Sequence, residues 1–249
     1  MADQRTAYVV CRDVLFAHWP IDVEQLRPYI PKQLTIETFD GSAWLGILVV
    51  DVAEAGLHRL PFRSSFPSLN LRTYVNVDSE PGVYFLDLDT TEQLGALIGR
   101  NAFGLPYHQA RMNFSRHNGK ITFESRRTDS DLPARFEVTY QPSPESNPFE
   151  AEPKSIEDFL IERSRFYVSG GRSGVAAVRP TTQDAILEAT IDKDPWSLQQ
   201  AVATIHTNTL FDAIDLSPTK DEPLCHYSRQ QYMFSESLRD IDEAPVPDR

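Results

Sequence analysis

A strand-like segment with alternating polar side chains contains the clearest candidates for ligand binding in this chain. Alternate residues of a strand point to the same face, so one face carries Asn70, Arg72, Tyr74 and Asn76, and the other carries Leu71, Thr73 and Val75. A guanidinium beside an amide and a phenol is suited to bidentate capture of a carboxylate. Two other interpretations stay open: the polar face meets water, or Arg72 pairs with an internal acid such as Asp87 or Asp89.

The adjacent residues Tyr107 and His108 are candidates for acid–base chemistry. Imidazole titrates near neutral pH, so His108 could act as an acid or a base, and the Tyr107 phenol could donate a hydrogen bond to a carbonyl or enolate oxygen. Neighbours in a strand face opposite sides, so at most one of them points into a cavity unless the strand bulges. The alternatives are a structural histidine and a tyrosine that only fills space.

The sequence gives little support for a metal site, a serine nucleophile or a phosphate-binding loop. The six histidines and two cysteines show no metal-ligand spacing, so we expect no metal and no cofactor. No Gly-x-Ser-x-Gly nucleophile motif is present, and the glycines at 170–174 have no following helix, which favours a hairpin turn over a phosphate loop. Trp196 is predicted as a pocket wall or a core anchor.

The composition limits the classes of partner. The net charge is −12, with five lysines against nineteen arginines; an acidic, lysine-poor surface resembles proteins of salt-loving organisms and argues against nucleic acid. The sequence has no apolar run long enough to span a membrane and no secretory signal at its start, so we expect a cytoplasmic protein without a membrane partner. Two cysteines are too few for a disulfide framework.

Periodicity and turn signals predict many short strands and few helices. Strands are predicted at 35–39, 43–52, 69–77, 83–88, 107–116, 120–127, 135–140, 166–168, 175–179, 186–191 and 225–234, and helices at 22–29, 91–103 and 155–163. The turns are assigned to Asp40-Gly41, Pro81-Gly82 and Asn118-Gly119. Residues 56–68 are predicted to be irregular, and 196–205 fit either a helix or a strand.

This pattern predicts an α+β fold or a barrel with an antiparallel sheet, since the βαβ alternation of a parallel sheet is missing. Residues 1–249 are predicted to form a single domain. Within it, 141–153 is expected to be a surface loop and 240–249 a frayed tail.

Several segments carry a resemblance to known proteins. The stretch Gly99-Arg100-Asn101-Ala102-Phe103-Gly104-Leu105-Pro106-Tyr107-His108 resembles the active-site segment of the acetoacetate decarboxylase family. Further segments are similar to the YqjF-like family, a domain-of-unknown-function family of the acetoacetate decarboxylase-like superfamily: Leu26-Arg27-Pro28-Tyr29-Ile30-Pro31, Phe39-Asp40-Gly41, Asn70-Leu71-Arg72-Thr73-Tyr74-Val75, Gly104-Leu105-Pro106-Tyr107, Phe159-Leu160-x-Glu162-Arg163 and Pro195-Trp196.

The resemblance implies a cone-shaped antiparallel β-barrel with flanking helices, a central cavity and a homo-oligomer. In acetoacetate decarboxylases a lysine forms a Schiff base with a keto acid, and a second lysine lowers its pKa. Tyr107 and His108 stand where those lysines would be, and Asn101 replaces a glutamate. We therefore expect a cavity wall with Arg72 but without a reactive amine.

Two functions follow as hypotheses. In the first, the barrel binds a small organic acid or carbonyl metabolite through Asn70, Arg72, Tyr74 and Trp196, with acid–base lyase chemistry by Tyr107 or His108 and no Schiff base. In the second, the same cavity serves a non-catalytic small-molecule-binding or sensing module. A structural protein whose cavity is filled by side chains is a third, less favoured interpretation.

Overall fold

The computed structural model describes residues 5–58, 61, 63–91, 107–128, 133–169 and 185–242. The strands of these residues are β1 Arg5–Ile21, β2 Thr35–Ile36, β3 Ala43–Leu57, β4 Arg63–Val77, β5 Glu80–Thr90, β6 Tyr107–His117, β7 Lys120–Arg127, β8 Arg135–Pro142, β9 Arg165–Ser169, β10 Ile186–Asp192, β11 Leu198–Asn208, β12 Leu224–Glu236 and β13 Arg239–Asp240. The helices are α1 Val23–Leu26, followed by a 3₁₀ turn Arg27–Tyr29, and α2 Ile156–Ile161; a second 3₁₀ turn spans Asp212–Ile214.

The sheet closes on itself twice. Hydrogen bonding in the order β5-β6-β7-β8-β11-β12-β1-β3-β4, and from β4 back to β5, makes a closed barrel of nine strands. A second ring uses the pairings β12–β10, β10–β9 and β9–β5. The two rings share the strands β12, β1, β3, β4 and β5, which we call the shared wall. With β9 and β10 these five strands form a seven-stranded ring.

Both faces of β1 and β3, in the centre of the shared wall, are buried over most of their length. Leu15 and Ile47 belong to a core cluster with Phe123 and Phe136, which lies inside the nine-stranded barrel. The neighbouring residue Phe16 belongs to the other cluster, inside the seven-stranded ring. Because successive side chains enter different interiors, β1 and β3 are almost continuously apolar instead of alternating.

The predicted hairpin over 107–127 is confirmed. β6 and β7 pair from Ala110–Arg127 to His117–Lys120, and the turn residues Asn118 and Gly119 both have positive φ angles, +48° and +78°. A two-residue turn of this type requires left-handed backbone, which asparagine and glycine adopt at low cost.

Two turn predictions need correction. The turn between β4 and β5 lies at Asp78 and Ser79, with φ angles of +50° and +70°, whereas Pro81 and Gly82 lie inside β5. The Asp40-Gly41 turn exists, but the short strand before it pairs with β4 instead of β3. The Asp40-Gly41 signal marks a turn and the Pro81-Gly82 signal does not, and the partner of β2 depends on how the sheet closes.

The strands extend further than predicted. The prediction that residues 56–68 are irregular is wrong, because β3 runs to Leu57 and β4 begins at Arg63. Both strands continue here along the second ring. The ambiguous region 196–205 is mostly strand, as β11 begins at Leu198. The sheet is not purely antiparallel, because β5 pairs in parallel with β6 and with β9 over short segments.

The two helix predictions that fall on described residues are confirmed. The helix predicted at 22–29 is α1 with its 3₁₀ turn. α2 begins after Ser155, whose hydroxyl accepts the Asp158 N–H at 3.1 Å, while the Asp158 carboxylate accepts the Lys154 N–H at 2.7 Å. The predicted helix at 91–103, the strand at 175–179, the segment 170–174 and most of the tail at 240–249 lie outside the described residues.

A buried cluster of charged side chains joins β5, β6 and β7, next to the short parallel pairing of β5 with β6. The Arg127 guanidinium contacts Asp87 at 2.8 Å and donates through Nε to Asp89 at 2.7 Å, and His108 Nε2 donates to Asp87 at 2.9 Å. Asp89 is almost fully buried, and this burial raises its pKa to about 6 in spite of Arg127.

Gly82 tests the closure of the seven-stranded ring. An added Cβ would lie 2.6 Å from the Tyr167 ring and 3.0 Å from the Arg165 carbonyl oxygen on β9. We expect Gly82→Ala to lower the free energy of unfolding by about 1–3 kcal/mol, because β5 and β9 must separate to relieve the overlap. Urea unfolding of both proteins measures this difference, and equal midpoints would contradict the assigned β5–β9 pairing.

Asp89 predicts a pH dependence of stability. The pKa of Asp89 is about 6 in the folded protein and ordinarily 3.8. Between pH 3.8 and pH 6, Asp89 therefore keeps its proton in the folded state and has released it in the unfolded state. The contribution of protonated Asp89 to the free energy of unfolding is complete below about pH 4. It is lost as the pH rises through about 6, which lowers the free energy of unfolding by at most ~3 kcal/mol. Asp89→Asn should remove this decline. Urea unfolding from pH 4 to 7 compares the slopes, and identical slopes would refute the assignment.

Candidate functional site

The seven-stranded ring encloses a cavity of about 330 Å³. Its wall includes β1 from Ala7 to Val14 and β4 from Ser64 to Arg72, so the cavity extends along the strands of the shared wall. The residues around Arg72 are buried, whereas Ala7 and Ser64 are half-exposed. The cavity therefore has an inner end at Arg72 and an open end at Ser64.

Arg72 is the principal polar group at the inner end. It is 8% exposed, and its Nη2 donates to the Leu160 carbonyl oxygen at the end of α2 over 3.0 Å. Its Nε has no hydrogen-bond partner, and no described carboxylate lies within ion-pair distance. Asp87 and Asp89, considered as partners from the sequence, pair with Arg127 instead. A buried guanidinium without a counter-charge favours an anionic ligand.

Asn70 adds a second donor on the same face. The Ser68 hydroxyl donates to the Asn70 side-chain oxygen at 3.2 Å, which leaves the amide nitrogen of Asn70 as a donor toward the cavity that both residues line. Asn70 and Arg72 are two residues apart on β4, so both side chains lie on the face of the strand that lines the cavity.

Tyr74 lies behind the wall of the cavity. It shares the face of Arg72, as predicted, but it is fully buried beneath Phe159, with ring centroids 5.3 Å apart. The guanidinium carbons of Arg72 and Arg163 lie 5.7 and 5.4 Å from the Tyr74 ring centre. Tyr74 therefore supports the two cations through its ring. It is not among the described residues that line the cavity, and its contact with a ligand stays a prediction.

Tyr107 and His108 face different interiors. Tyr107 lines the cavity, and burial raises its pKa to about 12, so the phenol remains a hydrogen-bond donor at neutral pH. His108 points away and pairs with Asp87 in the charge cluster. Strand alternation separates the two side chains because both belong to β6.

Trp196 lines the cavity as a fixed wall residue. Its ring meets Phe16 edge-on at 4.9 Å between centroids, and its backbone N–H donates to Glu162 at 2.7 Å. Gln231 donates to the preceding Asp194 and Pro195 carbonyl oxygens and holds the loop in place. Both parts of the prediction, pocket wall and core anchor, describe its position.

Sequence reasoning missed two cations on the wall, Lys193 and Arg163. Lys193 forms an ion pair with Glu162, and Arg163 pairs with Glu37 at 2.6 Å and donates to the Phe159 carbonyl oxygen. Lys193 corrects the expectation of a wall without an amine. Its proximity to Trp196 in the sequence was the available signal, and its contact with the cavity depends on the tertiary fold.

The described lining contains neither carboxylate nor imidazole side chains. No group of three or more histidine, cysteine, aspartate or glutamate residues suited to a metal ion occurs among the residues that the structure describes. Cys11 lines the cavity as a free thiol whose pKa burial raises to about 12. In the described ranges, no helix is long and apolar enough to cross a membrane. The chemistry of this wall is that of cations and neutral hydrogen-bond donors.

Solved structures share this architecture. The enduracididine biosynthesis enzyme MppR complexed with pyruvate aligns with a TM-score of 0.64 at 12% identity, covering 96% of this chain and 91% of that one. An acetoacetate decarboxylase from Legionella pneumophila subsp. pneumophila str. Philadelphia 1 aligns at 0.60 with 9% identity, covering 96% and 90%. An acetoacetate decarboxylase-like enzyme from Sphingomonas wittichii RW1 aligns at 0.60 with 12% identity, covering 98% and 95%.

Sequence comparison gives the family. The Uncharacterized protein YqjF of Bacillus subtilis (strain 168) is 36% identical over 230 residues, which cover 91% of this chain and 89% of YqjF. The model of the DUF2071 family, described as an uncharacterized conserved protein, matches residues 10–232. The predicted resemblance and fold are thus confirmed: the chain belongs to the DUF2071 family and has an acetoacetate decarboxylase-like β-barrel fold.

Proposed function

We propose that this protein binds a small organic acid or carbonyl metabolite in the cavity of the seven-stranded ring, with an anionic group held by Arg72. The supporting observation is the buried Arg72 guanidinium, which lines the cavity without a carboxylate partner among the described residues. A carboxylate at this position would accept from the Arg72 guanidinium and from the Asn70 amide. It would supply the missing counter-charge.

The lining favours binding over acid–base catalysis. A general acid or base must reach the reacting atom, and His108 lies on the other side of the sheet, in contact with Asp87. Tyr107 remains as a neutral donor to a carbonyl oxygen. The better-supported function is therefore a small-molecule-binding or sensing module.

Catalysis is the second candidate, and it is favoured by the position of Tyr107 on the wall of a decarboxylase-like fold. Tyr107 would stabilise an enolate oxygen in lyase chemistry without a Schiff base. Turnover that Tyr107→Phe abolishes while ligand affinity stays unchanged would support this candidate over the binding module.

Arg72→Gln is the principal test of the proposal. We expect the variant to bind butyrate, octanoate, pyruvate and acetoacetate about 10- to 100-fold more weakly, because a hydrogen bond to a charged group contributes roughly 1.5–3 kcal/mol. Calorimetric titration measures the affinities. Arg126→Gln is the matched control, since it removes the same charge from an exposed position on β7 and should leave binding unchanged. Equal affinities in all three proteins would refute the proposal.

Lys193 offers a test for covalent chemistry. Lys193 lines the cavity but forms an ion pair with Glu162, and an ion-paired ammonium is not nucleophilic. We expect incubation with pyruvate or acetoacetate and cyanoborohydride to leave Lys193 unmodified in peptide mass spectra. A reduced adduct at Lys193, absent from Lys193→Arg, would show that the protein forms an imine after all.

A further inference from the structure

We infer that the ligand is an amphiphilic monocarboxylate with a long unbranched hydrocarbon chain, whose carboxylate lies at Arg72 and whose chain extends toward the open end of the cavity. This inference rests on the proposed function and narrows its ligand class. It follows from the length of the cavity, from the distribution of charge along it and from the chemistry of its middle section.

The cavity is long compared with a small keto acid. Ser64 and Arg72 are eight residues apart on β4 and both line it, so they are separated by roughly 25 Å of strand at about 3.3 Å per residue. On β1 the lining extends from Ala7 to Val14 beside the same space. A short acid at Arg72 would occupy the inner end alone and would leave the apolar remainder exposed to water.

The charges of the described wall are confined to one part of the cavity. Arg72 bonds the carbonyl oxygen of Leu160, Lys193 pairs with Glu162, and Arg163 follows in the chain. All three cations are therefore held by the segment 160–163 at the end of α2. Lys193 and Arg163 have carboxylate partners, so Arg72 is the one that an anionic head group would neutralise.

The middle of the cavity is aliphatic. The side chains that line it between the two ends include Val9, Cys11, Val14, Leu48, Val50 and Val52. Cys11 is uncharged, because burial raises its thiol pKa to about 12. A second charge on the ligand would lie against this surface without a partner, which is costly, whereas methylene groups gain from each contact. One charged head and an apolar tail fit this arrangement.

A chain-length series tests the inference. Wild-type protein is titrated calorimetrically with butyrate, octanoate, dodecanoate and hexadecanoate, below their micelle-forming concentrations. We expect the dissociation constant to fall about fourfold for each added methylene until the chain reaches the open end. Dodecanol should bind more weakly than dodecanoate, and Arg72→Gln should remove that difference.

Two variants test where the hydrocarbon chain of the ligand lies in the cavity. Val50 lies opposite Ser68 in the β3–β4 register and Ala55 lies opposite Ser64. Val50→Phe should shorten the preferred chain more than Ala55→Trp does, while butyrate affinity, which reports an intact inner end, stays unchanged in both. Ala53→Trp is the matched control, because Ala53 is half-buried on the same strand but is not on the cavity wall. Thermal unfolding confirms that each variant is folded.

The outcomes separate the inference from the function on which it rests. If butyrate and pyruvate bind as tightly as dodecanoate, and Arg72→Gln weakens all of them, the proposed function stands and the long-chain ligand is refuted. If no acid of any length binds, the proposed function fails as well. If the long acids bind but Val50→Phe leaves the length preference unchanged, the chain lies elsewhere and the inference is overturned.

Discussion

The structure depends on one constraint, the burial of both faces of β1 and β3 in the centre of the shared wall. β1 and β3 contribute alternate residues to two interiors, so nearly every position must be apolar or internally bonded. One interior is packed with aromatic and aliphatic side chains around Phe123 and Phe136, and a pocket of about 730 Å³ lies against this cluster at Trp19 and Phe211. The other interior retains the cavity that Arg72 lines. The packed cluster around Phe123 and Phe136 fixes the strands whose opposite face lines that cavity.

The electrostatics of the cavity depend on the end of α2. Three cations converge on the segment 160–163, and two of them have carboxylate partners, Glu37 and Glu162. Arg72 donates to one carbonyl oxygen, lies near the face of Tyr74, and has no carboxylate partner among the described residues. A protein that buries a cation without a counter-charge loses stability unless a ligand supplies one. This imbalance distinguishes Arg72 from its neighbours and is the physical basis of the proposed function.

Strand alternation divides the Tyr107–His108 pair between the two interiors. Tyr107 contributes a neutral phenol to the cavity, while His108 joins Asp87 and Arg127 at the seam between β5, β6 and β7. The sequence resemblance implies lysines at these two positions, whereas this chain has a phenol in the cavity and an imidazole in the ion-pair network. A further amine, that of Lys193, enters the cavity from a distant part of the chain.

The sequence by itself determined the local features: the Asn118-Gly119 hairpin, the Ser155 helix cap, the common face of Asn70 and Arg72, and the family resemblance. These depend on residues near each other in the chain. The tertiary structure decided that Tyr74 is covered by Phe159, that β2 pairs with β4, and that Lys193 and Arg163 reach the cavity. Such contacts join positions that are distant in the sequence; Arg72 and Leu160, for example, are 88 residues apart. Periodicity shows which side chains share a face, but which interior that face meets depends on how the sheet closes.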